Sequence, residues 1–246
     1  MSNMLVSMNM KKNTSKFVTL NLHRFEDWSA RLPAIVALLK KLDPDVVFLQ
    51  EVQADISFDA GNQIDILNEQ LGYPYARFSE ACIKTTRKGK PLPHPVSHGL
   101  GVLSKFPFDT EIIKLQLATG DTETRIIMLN EFDVRGEKVV AANVHFANSD
   151  AWAEAHFRET LRILAEKNIS SIIAGDFNIK HIADFKDLYA DKYVSSADSF
   201  KYVSYPKDGL SYDYILLPKQ SSFVDFQCVD ESVSDHKALY AVIGVN

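Results

Sequence analysis

The 246-residue chain has two cysteines, Cys82 and Cys228, far apart and in no metal-binding spacing. That excludes a disulfide framework and a thiolate cluster, and it suits a reducing compartment. No apolar run is long enough to cross a bilayer. There is no Gly-rich phosphate loop and no G-x-S-x-G elbow, so kinase and serine-hydrolase chemistries find no support. Excess positive charge is missing too. A net charge of −5 gives no global attraction to nucleic acid or to an anionic membrane, although a local basic segment can still do such work. Linkers, low-complexity tracts and repeats are equally lacking, so one domain is the simplest organisation. What is there is ordinary: 46% hydrophobic and 24% charged residues, the balance of a soluble globular protein with a sizeable core. We expect residues 1–15 to be a disordered leader, because their lysines follow the apolar residues and no continuous apolar stretch precedes them. Residues 16–246 then form the domain, expected to be cytoplasmic and monomeric.

The pattern along the chain alternates strands and helices. Lys16 to Leu22 is β-branched and apolar. Asp27 to Lys41 has Leu32, Ile35, Val36 and Leu39 at helical spacing, with Asp27 or Ser29 as cap and Pro44 beyond its end. Asp45 to Glu51 reads as a second buried strand, and residues 62–71 as a short helix. Strands follow at 75–80, 99–104, 111–117, 125–134 and 138–145, with Arg135-Gly136 as a hairpin turn. The basic segment Lys84 to His94, punctuated by Gly and Pro, is expected as an exposed loop, with the option of clamping an anion. A long amphipathic helix spans about 149–167, a strand follows at 172–175, a short helix near 182–188, and three strands close the chain at 212–217, 222–228 and 238–244. Many strands with helices between strand groups suggest two packed sheets covered by helices.

The chain is organised around Ser171-Ser-Ile-Ile-Ala-Gly-Asp-Phe-Asn-Ile-Lys180. An apolar run ends at Gly175, and Asp176 and Asn178 follow two residues apart, so in extended backbone they share a face. Such groups at the end of a buried strand need partners, which makes them a loop anchor or a site. Other polar residues also fall at strand ends: Asn21, Glu51, His145, and the Ser234-Asp235-His236 run before the last strand. Asp213, amid Tyr and Ile, is costly to bury alone, and His236 is available as its partner. Glu51 and Asp235 are hard oxygen donors suited to Mg2+ or Mn2+. The histidines titrate near neutrality, Asp176 is a candidate base or water positioner, and Asn178 a donor to a developing oxyanion. This set suits attack of water on a phosphoester.

Thr-Leu-Asn21, Leu-Gln-Glu51-Val, Gly99-Leu-Gly-Val-Leu-Ser-Lys-Phe-Pro107, Asn-Val-His145-Phe, Gly-Asp176-Phe-Asn178, Tyr-Asp213-Tyr-Ile-Leu and Ser-Asp235-His236 resemble, in order, the motifs of the endonuclease/exonuclease/phosphatase superfamily, which includes deoxyribonucleases, apurinic endonucleases, sphingomyelinases and inositol-phosphate phosphatases. The resemblance implies an α/β (α+β) fold, a four-layer α/β-β/α sandwich with the site at one edge of the paired sheets. It implies metal binding through Glu51 with Asn21 and Asp235 nearby, Asp176 orienting or deprotonating water, Asn178 steadying the phosphorane, and His236 reaching the phosphate while held by Asp213. Which group is the formal base, and whether one ion or two act, it leaves open.

His145 and His23 resemble the deoxyribonuclease-like and phosphatase-like branches more than the apurinic endonucleases, which tend to have Tyr and Asp there. Glu80 then falls where a glutamate pairs with the histidine, the alternative being an exposed strand-end residue. Arg125 is either a phosphate contact or a surface ion pair, and His98 a candidate substrate contact. The expected activity is a deoxyribonuclease-like phosphodiesterase on DNA or a nucleotide. A small-molecule or lipid-headgroup phosphatase is the alternative, and a non-catalytic binding module a more remote one.

Overall fold

A computed structural model describes residues 14–57, 61–87, 89–116 and 123–244. Twelve strands form two six-stranded sheets. They are β1 Thr14–Asn21, β2 Val46–Ala54, β3 Tyr75–Arg87, β4 Lys90–Ser104, β5 Phe108–Lys114, β6 Ile126–Val134, β7 Glu137–His145, β8 Ile172–Asp176, β9 Tyr193–Ser195, β10 Asp213–Pro218, β11 Ser222–Cys228 and β12 Leu239–Gly244. The first sheet has the order β11-β12-β1-β2-β4-β3 and the second β5-β6-β7-β8-β10-β9. Each is antiparallel except for one parallel pair, β1 with β2 and β7 with β8. Helix α1 (Trp28–Leu42) connects the first pair and α3 (Asp150–Glu166) the second; α2 (Gln63–Leu71) follows β2. A parallel pair needs such a crossover, so each half of the molecule is built on a β-α-β unit.

Strand alternation sorts the side chains into three apolar layers. Phe17, Phe48, Ala141, Ala174, Ile215 and Ala241 belong to the core between the sheets. Val18, Leu20, Val47 and Leu49 face away, under α1 and α2. Ala142, Val144, Ile173 and Leu216 face α3, against Phe157 and Leu164. The result is the four-layer sandwich that the motif resemblance implies. Because strands repeat every two residues, the row facing the other sheet runs Phe17, Thr19, Asn21 in β1 and Ile172, Ala174, Asp176 in β8. The inner face therefore turns from apolar to polar toward one edge.

Three expectations need correction, and two short elements were not anticipated. β2 does not stop at Glu51: it continues to Ala54 through a bulge, with the register against β4 shifting between Leu49 and Val52 and Glu51 held at φ 52°. The basic segment is not a loop, because β3 runs to Arg87 and β4 starts at Lys90; residue 88 lies outside the described residues. The arm pairs again at its tip, Thr86 with Pro91 and Arg87 with Lys90, beyond a register shift that skips residues 92–95. Strand β8 includes Gly175 and ends at Asp176. A Cβ on Gly175 would meet the Val144 carbonyl oxygen at 2.0 Å, so glycine there serves close packing inside the strand. Finally, β9 and the short helix Ser196–Ser199 had no sequence signal beyond turn chemistry. Residues 1–13 of the expected leader lie outside the described residues, and Thr14 and Ser15 belong to β1. Among the described residues no helix is long and apolar enough to cross a membrane.

Candidate active site

Strand register brings the polar ends together. Asn21 pairs with Gln50 across β1 and β2, His145 with Asp176 across β7 and β8, and Asp213 with Asp176 across β10 and β8. The two sheets meet here through side chains: Asn21 Nδ2 donates to Asp176 Oδ2 at 2.9 Å. The other carboxylate oxygen, Oδ1, accepts the backbone N–H of Asn178 at 2.9 Å. Two imidazoles flank Oδ2, with His145 Nε2 at 3.7 Å and His236 Nε2 at 3.8 Å. Behind His236, Nδ1 lies 2.8 Å from Asp213 Oδ2, which also accepts the Ser204 hydroxyl at 2.6 Å. The ring of Tyr205 covers His236, with centroids 4.7 Å apart.

Burial and charge set the protonation states. Burial pushes Asp176 up to about 7, against the lowering effects of His236 and the Asn21 and Asn178 hydrogen bonds. His236 goes the other way. Burial disfavours its cation, but Asp213 and then Asp176 overcome this and raise it to about 10. His145 is buried and further depressed by Arg125, His98 and His236, so it stays neutral. Arg125 Nη1 lies 3.3 Å from His145 Nδ1; the arginine being the donor, Nδ1 accepts and the proton sits on Nε2, facing Asp176. The arrangement holds the Asp176 carboxylate between a charged and a neutral imidazole.

The sites expected for a metal divide into two groups. Glu51 and Asp235 line the same cleft, about 550 Å³ in volume. Glu51 Oε2 is buried without a hydrogen bond, although Arg24 Nε lies 3.0 Å away. A buried carboxylate oxygen lacking a directional partner, in an oxygen-rich corner, fits a hard divalent ion. Asn21 is less free: its Oδ1 accepts the backbone N–H of His23 at 2.9 Å, and its Nδ2 is committed to Asp176. Asp176, Asp213 and His236 also offer ligand atoms within 4.8 Å of one another. There Asp213 and His236 already satisfy each other, with His236 Nε2 turned toward Asp176.

Thus Asn21, His145 and His236 gather around Asp176 with Asp213 behind His236, Glu51 and Asp235 face the cleft beside them, and Asn178 follows Asp176 in the left-handed region at φ 52°. One of the Asn178 amide hydrogens goes to Phe146 O at 3.1 Å. His98 is buried at the cleft floor with its ring 6.1 Å from that of His145. The expected Glu80–His145 pair is not made. Glu80 is exposed and accepts the Ser97 hydroxyl, because β3 turns its side chain away from the cleft. Glu123 is the carboxylate that serves this corner instead, bonded by Arg125 Nη2 at 3.0 Å and paired with Lys84.

Other participants also went unread in the sequence. Arg31, on the first turns of α1, donates to the carbonyls of Leu22, His23, Arg24 and Glu26 and to Val233 O at 3.1 Å. It ties the turn after Asn21 to the segment that carries Asp235 and His236. Beneath the site, Gln50 Nε2 donates to Asn143 Oδ1 at 2.7 Å and joins the two sheets. Asn143 belongs to a quoted motif, but nothing in one sequence distinguishes it from a surface amide.

A family model described as Endonuclease/Exonuclease/phosphatase family matches residues 18–236. Among curated proteins no match is found. Solved structures share the fold. An endonuclease/exonuclease/phosphatase from Beutenbergia cavernae DSM 12333 is 23% identical at a TM-score of 0.75, covering 95% of this chain and 72% of that one. The human Nocturnin catalytic domain with bound sulfate anion is 18% identical at 0.68, covering 95% and 94%. A humanized D. rerio TDP2 is 17% identical at 0.65, covering 94% and 98%.

Proposed function

The chain belongs to the endonuclease/exonuclease/phosphatase family, and from that premise we propose that it is a divalent-metal-dependent phosphoesterase, cleaving a phosphodiester by in-line attack of water. One observation carries the proposal: Asp176 lies at the junction of the two sheets, oriented by Asn21 and Asn178, with His236 held charged by Asp213 across from a neutral His145. Its elevated pKa, about 7, makes Asp176 a stronger base than an exposed aspartate, matched to the pH at which it works. Asp176 takes the proton of the attacking water. His236, charged, donates from Nε2 to a phosphoryl oxygen, and Asn178 offers its remaining amide hydrogen to the developing charge. Arg125, set against His145, contacts a further phosphate oxygen, and His98 borders the substrate. Glu51, with Asn21 and Asp235, would hold Mg2+ or Mn2+, which supplies neutralisation of phosphoryl charge.

Within this class a deoxyribonuclease-like phosphodiesterase is the preferred reading, acting on DNA or a nucleotide. The acidic balance of the chain, with a net charge of −5, supports the alternative of a small-molecule or lipid-headgroup phosphatase, which is tested beside it. That Nocturnin, sharing the fold, binds a sulfate anion is consistent with a tetrahedral oxyanion here. The experiment is a panel of phosphodiesters and phosphomonoesters assayed with Mg2+, with EDTA, and with Mg2+ restored. Turnover that EDTA abolishes supports the proposal, and no turnover of any member defeats it. Cleavage of DNA should fall steeply with salt, that of a small metabolite much less.

A further inference from the structure

The basic arm is not accounted for by the chemistry above. Past Glu80 the β3–β4 hairpin shifts register twice, between Glu80 and Cys82 and between Lys84 and Thr86. Bulges bend and twist a hairpin, and here its outer half supplies Lys84, Thr86, Arg87, Leu92 and Val96 to the cleft wall. Arg24, from the turn after β1, and Arg125 complete that wall, so four cations line it. Their carboxylate partners number fewer. Arg87 pairs with Glu26, Lys84 and Arg125 share Glu123, and Arg24 faces Glu51. Glu51 is also the residue given to the metal, which leaves Arg24 without its counter-charge when the ion is held.

The wall bears the marks of like charges held together. After burial, the charge of Arg24 is what lowers the pKa of Arg87. His98 is pushed down to about 3, by burial first and then by Lys84, Arg125 and Arg24. On this side the buried atoms Arg125 Nε and His98 Nδ1 have no hydrogen-bond partner, in residues only 8% and 6% exposed. Converging cations with unfilled polar atoms at a cleft are what an anion site requires. Lys84 and Arg87 pair with Glu123 and Glu26 on the arm's side of the cleft, whereas the Asp176 carboxylate is flanked by His145 and His236. A single phosphate attacked at Asp176 leaves Lys84 and Arg87 unused.

We propose that Lys84 and Arg87, with Arg24, form a second anion subsite, so that the substrate is a phosphoester carrying another phosphate group besides the one hydrolysed. This rests on the phosphoesterase reading and narrows it. The extra phosphate is either a terminal monoester or the neighbouring diester of a nucleic-acid strand. Neutral or cationic headgroups gain nothing from such a wall.

The test uses thymidine 5′-(p-nitrophenyl phosphate) in three forms: free 3′-hydroxyl, 3′-phosphate and 3′-(methyl phosphate). In the unaltered protein with Mg2+, one or both phosphorylated forms should exceed the free form in kcat/KM by about 10-fold, the strength of a charge-assisted contact. A larger gain for the monoester assigns a terminal phosphate, and an equal gain a strand. Lys84→Ala combined with Arg87→Ala should bring the ratio close to one. Thermal shifts read the subsite without turnover: thymidine 3′,5′-bisphosphate should stabilise the protein more than thymidine 5′-monophosphate, and equally in the double variant. Turnover of all three forms at the same kcat/KM, or a ratio kept by the double variant, overturns the subsite alone. Loss of turnover on every form removes the parent reading, and equal thermal shifts in the unaltered protein then remove the subsite as well.

Discussion

The two β-α-β units resemble one another in plan and differ in how they hold their ends. In the second unit, β7 and β8 finish flush, His145 beside Asp176, over an aromatic cluster in which Phe146, Phe157 and Phe177 lie 5.1 to 6.3 Å apart. In the first, β2 runs past its parallel partner through the bulge at Glu51, and the turn after β1 places His23, Arg24 and Asp27 at positive φ. That turn has only an aromatic pair, Phe25 and Trp28 with ring centroids 5.7 Å apart, and the Arg31 guanidinium, 6.0 Å from the Trp28 ring centre, binds its carbonyls. The contrast suits the tasks proposed for them. A base must be fixed in a dry, shaped environment that shifts its pKa, and apolar packing supplies that. A metal ligand needs hard oxygens at a polar, partly open edge, which a bulge and a guanidinium clip supply without closing it.

The largest effect should follow from breaking the dry half. Asp176→Asn keeps the shape and the Asn21 contact region but removes the base, and kcat should fall by about 10³- to 10⁴-fold in a steady-state assay, with little change in melting temperature. The pH profile sharpens the same point. In the proposed mechanism Asp176 acts deprotonated, and its pKa is raised to about 7, so activity should rise with pH near neutrality, above the range of an ordinary aspartate. His236 acts protonated with a pKa near 10, so the alkaline fall should come late. In Asp213→Asn that fall should move to lower pH, because the carboxylate that holds the cation is gone. An unmoved alkaline limb would show that His236 is not the titrating group.

The next effect tests the joint between the halves. The bulge opens the β2–β4 ladder beside Leu49 and Gly101, and Asn143 from the other sheet donates to both carbonyls, at 3.2 and 3.0 Å, while accepting from Gln50. Asn143→Ala leaves these buried groups unsatisfied and should cost about 2–3 kcal/mol in urea unfolding. A cost below about 0.5 kcal/mol would mean that water replaces the amide.

What the sequence revealed divides along the same line. Strand alternation and turn residues are local, so β1, β7, β8 and the hairpin at Arg135-Gly136 were legible, and ordered motifs located Asp176, Asp213 and His236. The bulge at Glu51 was not, because Leu-Gln-Glu51-Val-Gln-Ala carries no glycine to mark the positive φ that only tertiary pairing imposes. The basic arm read as a loop because Pro and Gly weigh against a strand until its partner is known. Glu80 and Glu123 exchanged roles for a similar reason. Glu80 lies inside β3, where the register against β4 shifts, and Glu123 lies just before β6, so the direction of neither follows from its neighbours in sequence. Arg31 gave no signal, since an arginine on a helix is ordinarily a solvated residue.

Smaller effects come from the polar half. Glu51→Gln keeps the bulge and loses the charge, so the Mg2+ concentration for half-maximal activity, and for half-maximal thermal stabilisation, should rise by about 10- to 100-fold. Unchanged Mg2+ dependence would move the ion elsewhere, to the cluster at Asp176.

Arg31→Lys is the subtlest. Lysine keeps the positive charge but cannot reach the Leu22, Arg24 and Val233 carbonyls together, since its donors radiate from one point instead of a planar fork. Asn21 and Asp235 then lose the link that sets their spacing, and the Mg2+ requirement should rise by about 5- to 10-fold while kcat at saturating Mg2+ stays near its original value. Phe177→Leu is the matched change in the dry half. It removes part of the aromatic platform and should cost about 1–2 kcal/mol of stability with the Mg2+ requirement unaltered. If the two substitutions gave the same pattern, the halves would not be held by different means. The opposite patterns follow from one distinction: packing energy is lost as stability wherever it is removed, whereas a hydrogen-bonded clip between two ligand-bearing segments is lost as metal affinity.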